Sequence, residues 1–525
     1  MNISEFLRSS LFCSTEGGLS MMHPGLPPGW AGVVGVVVAL LSIRLLATPK
    51  APAEKFRFRW MPSDRRDGAL RAVGALGPMV RQILKLALVA LFGLTVIAGL
   101  FGTPIPERNL ATVLTWNVWW AALILSIFFA GSFWCGVCPW NTIAGWLVRR
   151  GQTGNAVPNN SLNLRVPKIL RNVWPALALL TGLTWLELGA GLPSSPRATA
   201  ILALLMVVLA TVSLAIYERR AFCRYFCPVG RTVGFYSQLA PIELRPVDLE
   251  VCERCDTLAC YHGTDQIEPC PTHLVMGRLT ENTYCTSCGN CVGSCPSKNV
   301  NWRLRPHSIE VIKKARPHWD EAWFMLCLLA LTGFHGLTMT PLWEKGISSF
   351  ARIVGDSGKL LPTFTFFLLL SLAVPAIVYF GAVRITYLLT GKTVAFKKLF
   401  SSLALMTLPL AFAYHLAHNL SHLVRESDGV LGLLLNPLGT GTFPLTLAEK
   451  QDRHLDMLIS PELVFALQAS LIVFGFWIAL KVLHHRYRAL FAIKNSAGLT
   501  PMVLLAMGFT GFHLWLLMQP MIMRL

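Results

Sequence analysis

Charge is scarce in this chain. Of its 525 residues only 14% are Asp, Glu, Lys or Arg, and the acids are the scarcer kind, 27 against 46 basic residues. With 54% hydrophobic residues and a mean hydropathy of +0.53, so thin a charge complement implies a polytopic membrane protein, because a bilayer core requires apolar runs of ~20 residues. A net charge of +19 would point a soluble protein toward nucleic acid. Here the Lys and Arg fall in short loops between apolar runs, where they set topology, so lipid is the expected partner and nucleic acid is not. Neither a G-x-G-x-x-G fingerprint nor a P-loop occurs, which removes the usual handles for dinucleotide or nucleotide chemistry. The N-terminus lacks a basic region directly before an apolar stretch and a small-residue cleavage site, so no removable signal peptide is expected. Cys13 has no apolar run before it, which argues against a lipoprotein.

Cysteine, by contrast, is concentrated: eight of 14 lie between residues 252 and 295. The second group there, C-T-S-C-G-N-C-V-G-S-C-P at Cys285, Cys288, Cys291 and Cys295, matches the bacterial ferredoxin run C-x2-C-x2-C-x3-C-P. In that pattern the fourth Cys of each run ligates the other of two [4Fe–4S] clusters. Carried over, one cluster takes Cys285, Cys288, Cys291 and Cys270, and the other takes Cys252, Cys255, Cys260 and Cys295. The first run is irregular, with four residues before Cys260 and nine before Cys270, so its loop must bulge. Zinc is the rival ligand for C-x2-C pairs. Two Cys-Pro endings and the three-thiol spacing favour iron–sulfur. Clustered thiols of this kind suit a reducing compartment better than a secreted disulfide framework.

The expected fold is mainly α: a polytopic helical bundle with an inserted two-cluster ferredoxin domain. Ten candidate spans lie near 30–47, 83–101, 112–133, 173–191, 198–217, 322–342, 362–388, 400–424, 462–483 and 499–520. They divide the chain into an N-terminal span with a basic loop (1–82), a membrane half (83–239), the ferredoxin insert (240–320) and a second membrane half (321–525). Basic residues crowd 48–81, 140–172 and the loops after spans seven and nine. That bias predicts an inner-membrane protein with its insert in the cytoplasm and both termini outside.

The first half contains an internal echo. F-W-C-G-V-C-P-W at Cys135 and Cys138 follows span three, and F-C-R-Y-F-C-P-V-G at Cys223 and Cys227 follows span five. Four thiols are thereby expected at one membrane surface beside the insert. They could hold a third [4Fe–4S] cluster, act as redox dithiols or a transient metal site, or serve only structure. The second half carries histidines instead: His335 in span six, His415, His418 and His422 in span eight, and His513 in span ten. Under the predicted topology all five reach the outer half of the bilayer. The i, i+3, i+7 spacing puts three on one helical face, although His415 and His422 are ~10 Å apart along the axis. Each histidine alone reads as an interhelical polar residue. As a set they suggest a b-type haem first, and a quinone or copper site second.

At Cys135–Pro139, Cys223–Pro228 and Cys252–Pro296 the chain resembles the NapH, NosR and CcoG group of membrane polyferredoxins, over about 83–310. The resemblance implies electron passage between quinol or membrane partners and other redox proteins, or support of metalloenzyme maturation. C-x2-C-P at Cys135 departs from the commoner C-x3-C-P, and the half from 322 onward has no counterpart in it. The expected function is electron transfer between an outer haem or quinone site and cytoplasmic clusters. The alternative is a copper or iron reductase or assembly factor, and a transporter or redox sensor ranks below both.

Overall fold

The computed structural model describes residues 12–15, 18–47, 78–148, 160–426, 429–446, 448–449, 459–491 and 497–522. Many of the basic residues expected to mark one membrane side, including those at 50–71 and 149–150, lie outside these. Strands β1 (Phe12–Thr15) and β2 (Gly18–His23) lead into helix α1 (Pro28–Ala47), followed by α2 (Pro78–Phe101) and α3 (Leu110–Ala130). Two short helices follow, α4 (Phe133–Val137) and α5 (Pro139–Val148), then α6 (Trp174–Thr184), α7 (Pro196–Ile216) and α8 (Pro228–Tyr236). The insert is framed by β3 (Ile242–Pro246) and β4 (Val300–Leu304). The second half comprises α9 (Trp319–Leu337), α10 (Pro341–Val354), α11 (Leu361–Leu389), α12 (Phe396–Ala404), α13 (Thr407–Glu426), α14 (Pro461–Leu490) and α15 (Thr500–Met518), then β5 (Met521–Ile522).

Among the described residues eight helices are long and apolar enough to cross a membrane, taking α12 and α13 as one, or nine if α9 and α10 count together. The expectation of ten is corrected on two points. The stretch expected to span at 173–191 is an 11-residue helix, α6, running into a five-residue π turn at Trp185–Gly189, which falls short of the ~20 residues a bilayer requires. Span six ends early, because α9 breaks and α10 leaves it at 92°. Thr340 caps α10 by accepting from Trp343 N, and Pro341 supplies its first helical residue.

The axis of the bundle is α12–α13, all of whose apolar window is buried, with Leu399, Phe400, Leu403 and Leu408 fully so. The insert sits at one end. Arg81, at the start of α2, donates to Cys288 O at 2.8 Å, and Arg486, near the end of α14, donates to Val311 O at 2.8 Å. At the other end Leu26 N donates to Leu517 O at 2.7 Å, Thr103 N donates to Leu438 O at 2.8 Å, and β2 pairs with β5. The two described chain termini therefore meet at the end opposite the insert.

Candidate metal centres

The Cys-Pro motifs are helix starts. Cys227 is the N-cap of α8: its thiol accepts from Gly230 N at 3.2 Å, and Pro228 occupies the first helical position, where a missing N–H costs nothing. Pro139 opens α5 in the same way after Cys138. The one-residue difference between the two copies has a local cause. Residues 133–137 are α-helical, whereas Phe222–Phe226 form a π turn closed by Cys227 N on Phe222 O at 2.8 Å. A π turn absorbs one extra residue, so C-x3-C delivers its second thiol to a helix start as C-x2-C does. Both pairs lie just beyond the ends of the crossing helices α3 and α7.

These four thiols lie within electrostatic reach of one another. Burial pushes Cys135 well up from its ordinary value, and the charges of Cys227, Cys138 and Cys223 add to that. Cys138 is pushed up to about 12 by burial, opposed by the amides of Asn141 and Trp140 at the start of α5. Thiols this reluctant to ionise in an apolar pocket gain most from a cationic partner, since a bound metal holds them deprotonated.

The eight thiols of the insert influence one another in groups. Cys285 is pushed up to about 12 by burial and also feels Cys288 and Cys270; Cys291 is raised by burial and then by Cys288, Cys285, Cys270 and Cys260. Cys260 is raised by burial and by Cys252, Cys255 and Cys295. Two neighbourhoods of four result, with Cys291 and Cys260 adjoining between them. Burial also raises Cys223, which feels Cys288 in turn, so the membrane thiols adjoin the second neighbourhood. Among the described residues no three His, Cys, Asp or Glu side chains close around a single ion. Sets of four thiols around a cluster are spread more widely than ligands around one ion, because each iron takes its own thiolate.

Backbone and side-chain donors already address these sulfurs. Leu274 N donates to Cys270 Sγ at 3.3 Å, Asn299 N to Cys295 Sγ at 3.3 Å, and Asn299 Nδ2 to Cys252 Sγ at 3.4 Å. Cys255 is the exception in exposure: the Thr257 hydroxyl beside it lowers its pKa. In metal-free protein, alkylation followed by mass spectrometry should label Cys255 first among the eight and the buried Cys291 last. Equal labelling of the two would show that the insert opens without metal.

Arginines that the sequence gives no reason to single out clasp the insert to the membrane half. Arg219 donates to Cys270 O at 2.9 Å, Arg224 donates to Thr272 O, and Arg220 pairs with Glu268 at 3.3 Å. Arg231, only 1% exposed, donates to Thr283 O at 3.0 Å and to Cys223 O at 3.1 Å. The backbones come close enough that a Cβ on Gly136, between Cys135 and Cys138, would lie 2.9 Å from Ser287 O. Inside the insert, β3 pairs antiparallel with β4, and buried Glu243, Arg245, Arg305 and Glu310 form an ion-pair network across that sheet.

The five histidines do not form one site. His415 Nδ1 lies 3.3 Å from Tyr236 OH, with Trp120 beside it, level with the first membrane half. His418 meets His335 edge to face at 5.4 Å and His422 at 4.6 Å, while His513 stacks on Tyr414 at 4.5 Å. The helical spacing of His415, His418 and His422 is as expected. The ~10 Å rise from 415 to 422 gives them different neighbours. Glu187 places Oε1 3.6 Å from His335 Nδ1. The His335 and His418 rings are in contact and leave no width for a macrocycle between them, so as they stand they do not fit a haem.

Residues 112–154 and 199–240 each match the family described as "4Fe-4S binding domain". A protein named for electron transport, YccM of Escherichia coli (strain K12), is 32% identical over 96 residues, which is 18% of this chain and 24% of YccM. The match thus spans about a quarter of that relative's length. No solved structure matches. The two family matches contain the two Cys-Pro pairs and stop short of 252–295. They place iron–sulfur binding in a chain with eight bilayer-length helices.

Proposed function

We propose that the protein transfers electrons within the membrane through three sets of four thiols, each set holding a [4Fe–4S] cluster. The sets are Cys135, Cys138, Cys223 and Cys227; Cys270, Cys285, Cys288 and Cys291; and Cys252, Cys255, Cys260 and Cys295. The observation that carries this reading is their succession. Cys223 adjoins Cys288, and Cys291 adjoins Cys260, so the sets stand in a row from the bundle to the most exposed edge of the insert. The similarity to YccM, a protein named for electron transport, supports it. When bound, the clusters would supply the one-electron chemistry. The chain's part is to bury the thiols, to aim the starts of α5 and α8 at them, and to surround them with arginine charge.

In this reading the insert faces the cytoplasm, as the basic loops suggest. Reporter fusions at the two termini, both inactive in the cytoplasm, test that orientation. A quinone or a haem at the histidine end would be a separate partner. Anaerobic purification with iron content and a reduced-minus-oxidised spectrum tests the whole reading. About twelve iron atoms per chain support it, at four per cluster; about eight or fewer would overturn it. A b-type band would restore haem at His335, His418 or His513.

Asn299 offers a finer test. It donates to Cys252 Sγ and also, at 2.6 Å, to Asp248 O. Hydrogen bonds to ligating sulfur favour the reduced, more negative cluster. Asn299→Ala should therefore lower one midpoint potential in a redox titration and leave the others in place.

A further inference from the structure

We propose a copper(I) site at the end of the bundle opposite the thiols, made by His418, His422 and Met521. The site does not depend on the clusters. A narrow crevice with room for about one water-sized or ion-sized body, about 10 Å³, is lined there by Pro24, Gly25, His418, His422, Gln468 and Met521, among others. The two imidazoles stand one turn apart on α13 with ring centroids 4.6 Å apart. Among the described residues no third imidazole, thiolate or carboxylate joins them around an ion. The further metal donor on the wall is the thioether of Met521, which is 8% exposed. Two neutral imidazoles and a thioether form a soft, uncharged donor set. Such a set suits monovalent copper; zinc sites are built from thiolates, carboxylates or more imidazoles.

The backbone beside Met521 is fixed by the register of β2 on β5, which pairs His23 with Met521 and Met22 with Ile522. The crevice wall is held shut by a close approach, since a Cβ on Gly25 would collide with the backbone oxygens of Met518 and Gln519. The site is far from iron. Gln468, which donates to Ala417 O at 3.0 Å, precedes Arg486 at the insert by about 27 Å of helix, at 1.5 Å per residue.

The test uses the full chain in detergent with its iron in place, titrated anaerobically with copper(I) against a chromogenic copper(I) chelator. One copper per chain should be retained, with nitrogen and thioether sulfur donors in its X-ray absorption spectrum. His418→Gln and Met521→Leu should each weaken retention at least tenfold while iron content stays unchanged. If His418→Gln also loses iron, it has misfolded, and the near-isosteric Met521→Leu decides. No retained copper, retention unaffected by Met521→Leu, or copper bound only by thiolates would overturn the site. Iron content, read on the same samples, reports separately on the clusters.

Discussion

Replacing Cys223 and Cys227 together by alanine should reduce bound iron from about twelve to about eight atoms per chain, at four per cluster. The pair leaves Cys135 and Cys138 with two thiols where four are needed, and two buried neutral thiols have little hold on a cluster. The insert should keep its own iron, because its two sets are drawn from residues 252–295 alone. Electron paramagnetic resonance of the reduced protein should accordingly lose one signal and retain two. Passage of electrons from insert to bundle should fall by orders of magnitude. Unchanged iron in the double variant would show that the Cys-Pro thiols hold no cluster and would reduce the relay to the insert.

Arg231→Met is expected to loosen the insert without touching a thiol. The guanidinium donates to Thr283 O and Cys223 O and lies 4.5 Å above the Tyr284 ring. Hydrogen bonds from a charged group contribute about 1.5–3 kcal/mol each. Methionine fills similar space but leaves both carbonyls unmet, so docking should weaken by about 3 kcal/mol. Amides near Thr283 should then exchange faster by roughly two orders of magnitude, at a tenfold change per 1.4 kcal/mol. Arg231→Lys should recover only part, because one ammonium cannot span two carbonyls as a fork does. Unchanged exchange would mean that the other contacts, those of Arg81, Arg219, Arg220, Arg224 and Arg486 among them, hold the insert without Arg231.

The grouping of the cysteines was legible because spacing is local: C-x2-C-x2-C-x3-C-P encodes one loop, and Cys285, Cys288 and Cys291 stay neighbours in it. The duplicated hairpins were legible for the same reason, down to the odd residue that Phe222–Phe226 takes up as a π turn. Arg231 and Arg81 were not. A basic residue near a span end reads as a topology marker, and only the folded chain reveals that its partner is a carbonyl of the insert. The histidines were legible only in part. Depth along α13 could be computed, but which helices face each level depends on packing among α3, α8, α9 and α15. That is how His415 came to meet Tyr236 while His418 met His335. Span six was misjudged because hydropathy runs on past the break at Thr338–Thr340, where capping overrides it.

The clasp around the insert also constrains how the protein can be made. Arg81 precedes the insert in the chain and Arg486 follows it, and both hold its backbone. During synthesis the first arm is in place before the cysteines emerge, while the second arrives only once α14 is finished. Docking of the insert is therefore complete only once α14 has formed and Arg486 has met Val311 O.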